Sequence, residues 1–190
     1  GISMLQTMEG ALQTIDNALV RMKQLAEQAA TGSYSSAQRA IMDQEFAEMS
    51  NEIDRIATAT KFNSIAMLDN SASVSIHFGS TNDFISVTGS NMTKSGLGIN
   101  TLAIDTAASA KAALATLDTA ISTKDTARAG FGYKMNRLES TVEVLNISAE
   151  NLATAESRVS DVDVATEMAA MTRNQVLAQA GISMLTQANT

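Results

Sequence analysis

The most restrictive feature of this chain is the spacing of apolar residues near its start. They fall at Leu5, Met8, Leu12, Ile15, Leu19, Met22, Ala26 and Ala29. The steps alternate three and four, a heptad seam that holds one face of an α-helix against a neighbour. A strand cannot use this period, because its side chains alternate every two residues. At 1.5 Å per residue the helix would be roughly 40 Å long. Gly32 follows as a stop signal.

A second stripe follows a short connection. Met42, Phe46, Met49, Ile53 and Ile56 step four, three, four, three. Ser35 with Gln38 forms the pattern of a capping box at the start of this helix. So short a link makes the two helices antiparallel neighbours. From about Asp105 the helical pattern resumes with Leu114, Leu117 and Ile121. Lys124 and Arg128 interrupt it, and Gly130 and Gly132 bracket Phe131. Met135, Leu138, Val142, Leu145, Ala149 and Leu152 restore it. Around residues 157–168 the phase changes, and Ser160, Asp161 or Asp163 could cap a new helix. That helix would carry Val164, Met168, Met171, Ala178, Ile182 and Leu185. The word GISML occurs at residues 1–5 and again at 181–185, and places Ile and Leu on a packing face each time.

Between the helical stretches the period changes. Residues 74–78 alternate, GSTND follows, and Phe84 to Val87 make a second short run, which predicts a β-hairpin. The chain is therefore expected to be mainly α. It should form a long antiparallel helical bundle or coiled coil with a small β-hairpin. The expected segments are a helical hairpin over 1–62, a hairpin and loop region over 63–103, a long helix over 104–160 and a last helix over 161–190.

Composition agrees with this fold. Apolar residues make up 45% of the chain but aromatics only 4%, and proline is absent. That mixture favours helix–helix packing over an aromatic-rich sheet. Each buried Leu, Ile or Met contributes roughly 1.5–3 kcal/mol, against about 0–1 kcal/mol for a surface ion pair. The seams therefore outweigh the charge pattern. The packing residues expected to matter most are Leu12, Ile15, Leu19, Met42, Phe46, Ile53, Leu138, Val142, Leu145 and Leu152. The methionines fall mostly on heptad positions, as core filling requires.

The same sequence argues against most chemistry. A net charge of −7 disfavours nucleic acid and anionic membrane surfaces as partners, and no apolar run approaches a membrane span. With no cysteine and one histidine, the common zinc sites and Cys–His nucleophiles are excluded. His77 falls out of phase with Val74, Ile76 and Phe78, so it reads as an exposed strand residue. Asp161 and Asp163 lack the further oxygens and the glycine of a calcium loop. The glycines at 96 and 98 lack nucleotide-binding spacing. No catalytic residue, metal or cofactor is expected. Elongated helices with open seams suggest an interaction protein or a polymer subunit.

Several long motifs then become recognisable. Residues 1–30, with NEIDRIATATKFN at 51–63, closely resemble the N-terminal core of bacterial flagellin. RAGFGYKMNRLESTVEVL, ENLATAESRVSDVDVATEMA and QVLAQAGISMLTQAN resemble its C-terminal core. The resemblance implies a structural subunit that polymerises into the flagellar filament for swimming. Its partners would be other flagellin subunits, the flagellar export chaperone and the filament cap. Secretion would run through the flagellar type III apparatus, to an extracellular filament. The family pattern includes a further N-terminal segment and a Leu-rich C-terminal tail, so this sequence reads as a core fragment. Its last helix is expected to fray or to pack against another copy. The resemblance also implies recognition by Toll-like receptor 5, at the matching positions Arg21, Leu25 and Glu45, with Leu25 partly exposed beside the seam. A hook–filament junction protein shares the terminal helices and is the alternative reading. An enzyme would need a larger insertion between the helices.

Overall fold

A computed structural model describes residues 1–190. The chain divides into two compact units, Gly1–Glu139 and Ser140–Thr190.

The first unit begins with α1 (Ile2–Ala30) and α2 (Ser36–Ala59). The helical period places one α1 residue in three or four against the core, and the whole stripe from Leu5 to Ala29 is buried. Ser35 and Gln38 form the capping box that starts α2. The Gln38 backbone N–H donates to Ser35 Oγ at 3.2 Å, and the Ser35 N–H donates to Gln38 Oε1 at 2.8 Å. Arg39 closes the facing end of α1 by donating to the carbonyls of Ala29 and Thr31, each at 2.8 Å. Such bonds satisfy carbonyls that have no partner within the helix.

Two antiparallel pairs of strands follow. β1 (Lys61–Phe62) and β2 (Ile65–Ala66) close across Asn63 and Ser64. Both turn residues have positive φ, at 49° and 64°, as the twist of a two-residue hairpin demands. This pair was not expected from the sequence, because Asn-Ser lacks the usual glycine. β3 (Ser73–His77) and β4 (Phe84–Thr88) form the expected hairpin, with Val74 opposite Val87 and Ile76 opposite Ile85. Ile85 and Val87 turn inward and are buried. At Gly89 the chain passes so close to the Met67 carbonyl that an added Cβ would lie 2.6 Å from its oxygen. The segment that leads on is pegged to α2, since Asp54 accepts from the Lys94 N–H and Asp43 from the Ile104 N–H.

α3 (Ala107–Ala188) is one continuous helix. It starts two residues after the expected point and has no break at 160–163. Ser160, Asp161 and Asp163 lie within it as exposed helical residues. Its buried stripe in the first unit also differs from expectation. Ala110, Ala113, Leu117, Ala120 and Lys124 face the core, then Phe131 and Leu138. Leu114 and Ile121 sit at its margin. Lys124 therefore continues the seam instead of interrupting it. Gly130 and Gly132 have no atom within 4 Å of an added Cβ, so close helix approach does not account for them within the chain.

The second unit, by itself, is the remainder of α3 and the chain end. Nearly every residue in it is exposed. The seam expectation fails there: Val142, Leu145 and Leu152 are 44%, 40% and 70% exposed. Their periodicity is real, but no second element of the unit lies against it.

Candidate functional site

The family resemblance implied a receptor patch at Arg21, Leu25 and Glu45. Arg21 on α1 and Glu45 on α2 are brought together as a two-pronged pair. Arg21 Nε donates to Glu45 Oε1 at 2.7 Å and Nη2 donates to Oε2 at 3.0 Å. Such geometry is the strongest form of a surface ion pair. The hydrogen bonds from Arg21 hold the Glu45 carboxyl below its ordinary value, and those to Glu45 raise Arg21. Leu25 is a correction. It is 1% exposed and joins Met22, Ala26 and Ala29 in the core. A helix flanked on more than one side buries a face wider than a two-position seam. Leu25 therefore offers no surface beside the pair.

A second set of charges links α1 with α3. Glu9, Asp16 and Lys23 recur every seven residues on α1 and meet Arg128, Lys124 and Asp118 on α3. Lys23 Nζ lies 2.7 Å from Asp118 Oδ1. Arg128 donates to Glu9, and Lys124 donates to both Asp16 and Asp125. Burial of Lys124 works against its charge, but the hydrogen bonds to Asp125 and Asp16 outweigh it and raise its pKa. The sequence reading missed this set. Two signals carried it: the seven-residue spacing of the α1 charges, and the phase of Ala110, Ala113, Leu117 and Ala120, which leads to position 124.

The third feature lies within Ser140–Thr190. Among large exposed apolar side chains, only Val20, Ile41, Ile65, Phe84 and Tyr133 fall outside this stretch. Inside it Val164, Met168, Met171, Ile182 and Leu185, all expected on a packing face, are 46–66% exposed. The second GISML word is thus exposed, whereas Met4 and Leu5 of the first are buried. An apolar display of this extent on a folded chain marks an interaction surface.

No arrangement for catalysis or metal binding emerges. His77 is exposed, with its ring 5.3 Å from that of Phe84. Asp161 accepts a hydrogen bond from Ser157 at 3.3 Å. No cluster of His, Asp and Glu could hold a metal ion, and no helix is long and apolar enough to cross a membrane.

Comparison with known proteins agrees with this picture. Residues 1–73 match the family model of the bacterial flagellin N-terminal helical region, and 114–190 that of the C-terminal helical region. The chain is 39% identical to the flagellar filament 33 kDa core protein of Treponema phagedenis, over all of this chain and 72% of that one. It is 35% identical to a flagellin of Halalkalibacterium halodurans, over all of this chain and 71% of that one. The crystal structure of Bacillus cereus flagellin superposes with a TM-score of 0.65 at 33% identity, covering 73% of this chain and 81% of that one. A flagellar hook-associated protein of Vibrio parahaemolyticus shares the fold at 14% identity and a TM-score of 0.57. With both helical regions matched in order and relatives of this identity along the whole chain, this protein belongs to the bacterial flagellin family.

Proposed function

We infer that the chain is a structural subunit of the flagellar filament, and that it assembles through the apolar face of α3 between Val142 and Leu185. The carrying observation is the run of exposed apolar side chains along this part of α3, from Val142 to Leu185. Burying such a surface against other subunits gains about 25 cal/mol per Å², and the family's polymer supplies the other copies. Packing rather than chemistry performs the role, so no residue is assigned to catalysis.

The same surface supports two further partners. An apolar helix face exposed between synthesis and assembly calls for a flagellar export chaperone to cover it, and for a filament cap to retain each subunit as it is placed. Export through the flagellar type III apparatus would deliver the chain to an extracellular filament. Recognition by Toll-like receptor 5 would rest on Arg21 and Glu45 alone, with Leu25 supporting α1 from beneath.

Electron microscopy of a flagellin-less bacterium expressing the full-length protein tests the assembly reading. The wild type should form long filaments. Met168→Glu with Ile182→Glu should abolish them while the melting of the first unit is unchanged. Filaments of normal length from the double variant would refute the assignment. Short caps on hooks from the wild type would favour the junction protein. Receptor contact is tested separately: Arg21→Ala with Glu45→Ala should lower receptor activation without changing secondary structure, and undiminished activation would dismiss it.

A further inference from the structure

The methionines of this chain divide by exposure along the sequence. In Gly1–Glu139, Met4, Met8, Met22, Met42, Met67 and Met92 are buried, none more than 8% exposed. Met49 and Met135 pack, partly buried, against the same core. Met168, Met171 and Met184 all fall in Ser140–Thr190 and are 46–73% exposed. The chain has no cysteine, so no thiol competes with them for an oxidant.

A thioether sulfur is soft and nucleophilic, and an accessible one reacts with hydrogen peroxide. The sulfur lone pair attacks one peroxide oxygen and the O–O bond breaks. That oxygen stays on sulfur as the sulfoxide. The other leaves as hydroxide and takes up the remaining proton to form water. Sulfur is oxidised and the peroxide is reduced by the same electron pair. The product is a polar acceptor in place of an apolar side chain. On an open helix face water solvates it, but covered by another subunit without a donor it is costly. Met168 and Met171 lie on the stripe that runs through Val164, Ala178, Ile182 and Leu185. Met184 precedes Leu185 by one residue, about 100° round the helix from it, and so lies off that stripe.

We propose that Met168 and Met171 form an oxidation site, at which peroxide converts the dissolved subunit to a form that cannot assemble. The division of the methionines makes the modification selective. Those buried in Gly1–Glu139 are out of reach, so the first unit keeps its fold while the stripe on α3 turns polar. The same exposure leaves both sulfoxides open to reduction, which takes one reductase for each sulfoxide epimer. Once other subunits cover the stripe, its sulfurs no longer react. This rests on the filament-subunit reading, which supplies the contact that the sulfoxides would block.

Dissolved full-length protein treated with hydrogen peroxide, then added to filament fragments as seeds, tests this. Peptide mass spectrometry should find one added oxygen each at Met168, Met171 and Met184, and none at the buried methionines. Seeded elongation, followed by electron microscopy, should fall severalfold while the melting of the first unit stays unchanged. Methionine sulfoxide reductases A and B together should restore it. The same peroxide applied to finished filaments should leave Met168 and Met171 unmodified. Met168→Leu with Met171→Leu should elongate equally with and without peroxide, whereas Met184→Leu should remain sensitive. Normal elongation of wild type carrying both sulfoxides would overturn the proposal. So would oxidation spread evenly over buried and exposed methionines, or failure of the reductases to restore elongation. A Met168→Leu, Met171→Leu variant that peroxide still inactivates would overturn it as well. Reductase recovery is read on the wild-type protein, so it stands even where the double variant elongates poorly. Failure of the filament reading would show separately, as no elongation before any peroxide is added.

Discussion

Leu12 and Val142 lie on apolar stripes of similar period, yet the structure treats them oppositely. Leu12 is fully buried and Val142 is 44% exposed. Leu12→Ala should therefore cost about 2–5 kcal/mol, through lost contacts and a residual cavity. Val142→Ala in the dissolved chain should stay within about 0.5 kcal/mol. Urea unfolding of both variants checks this, and equal costs would show that Val142 is packed. The Arg21–Glu45 pair makes a second prediction at this scale. Its depressed Glu45 contributes stability above the ordinary carboxyl value of 4.5, and that contribution is lost as pH falls through the lower folded value. The melting temperatures of wild type and Arg21→Ala should differ slightly at neutral pH and converge in acid. A gap that widens in acid would contradict the pairing. Lys124 shows why residue roles are only partly legible in sequence. Its phase on the stripe could be counted from the alanines, but its neutralisation by Asp16 depends on a tertiary meeting that no local pattern announces.

At the scale of elements, signals that act within a few residues were readable and long-range choices were not. The capping box at Ser35 joins groups three residues apart, so it was visible in the letters and present in the structure. Ser35→Ala should cost about 0.5–2 kcal/mol, with loss of amide protection confined to the first turn of α2. Thermal melts with residue-resolved exchange would show it, and a change spread over α1 would contradict it. The β3–β4 hairpin was legible for the same reason. The break expected at Ser160, Asp161 and Asp163 was not found, because capping residues permit a helix start without enforcing one. In a helix interior each costs only about 0.5–0.7 kcal/mol relative to alanine, too little to end a helix by itself. The Leu25 expectation failed for another reason. Two-position seams describe helix pairs, and α1 is buried over a wider face.

For the molecule as a whole, core and display belong to different stretches of chain. Gly1–Glu139 holds the buried cluster from Met4 to Leu138, whereas Ser140–Thr190 buries almost nothing. Fold class and family were legible because both rest on long periodic motifs. Whether a stripe is covered within one chain or only between chains was not, since the same heptad pattern specifies either. Isolated helices are marginal in water without tertiary packing, so the Ser140–Ala188 part of α3 should depend on neighbours for its stability. Hydrogen exchange of that stretch, in the dissolved chain and in filaments, tests this most directly. The account predicts fast exchange from Val142 to Leu185 in the dilute chain, slow exchange in α1, and strong protection of both in the filament. Strong protection of Val142 to Leu185 in the dilute chain, or none in the filament, would contradict it.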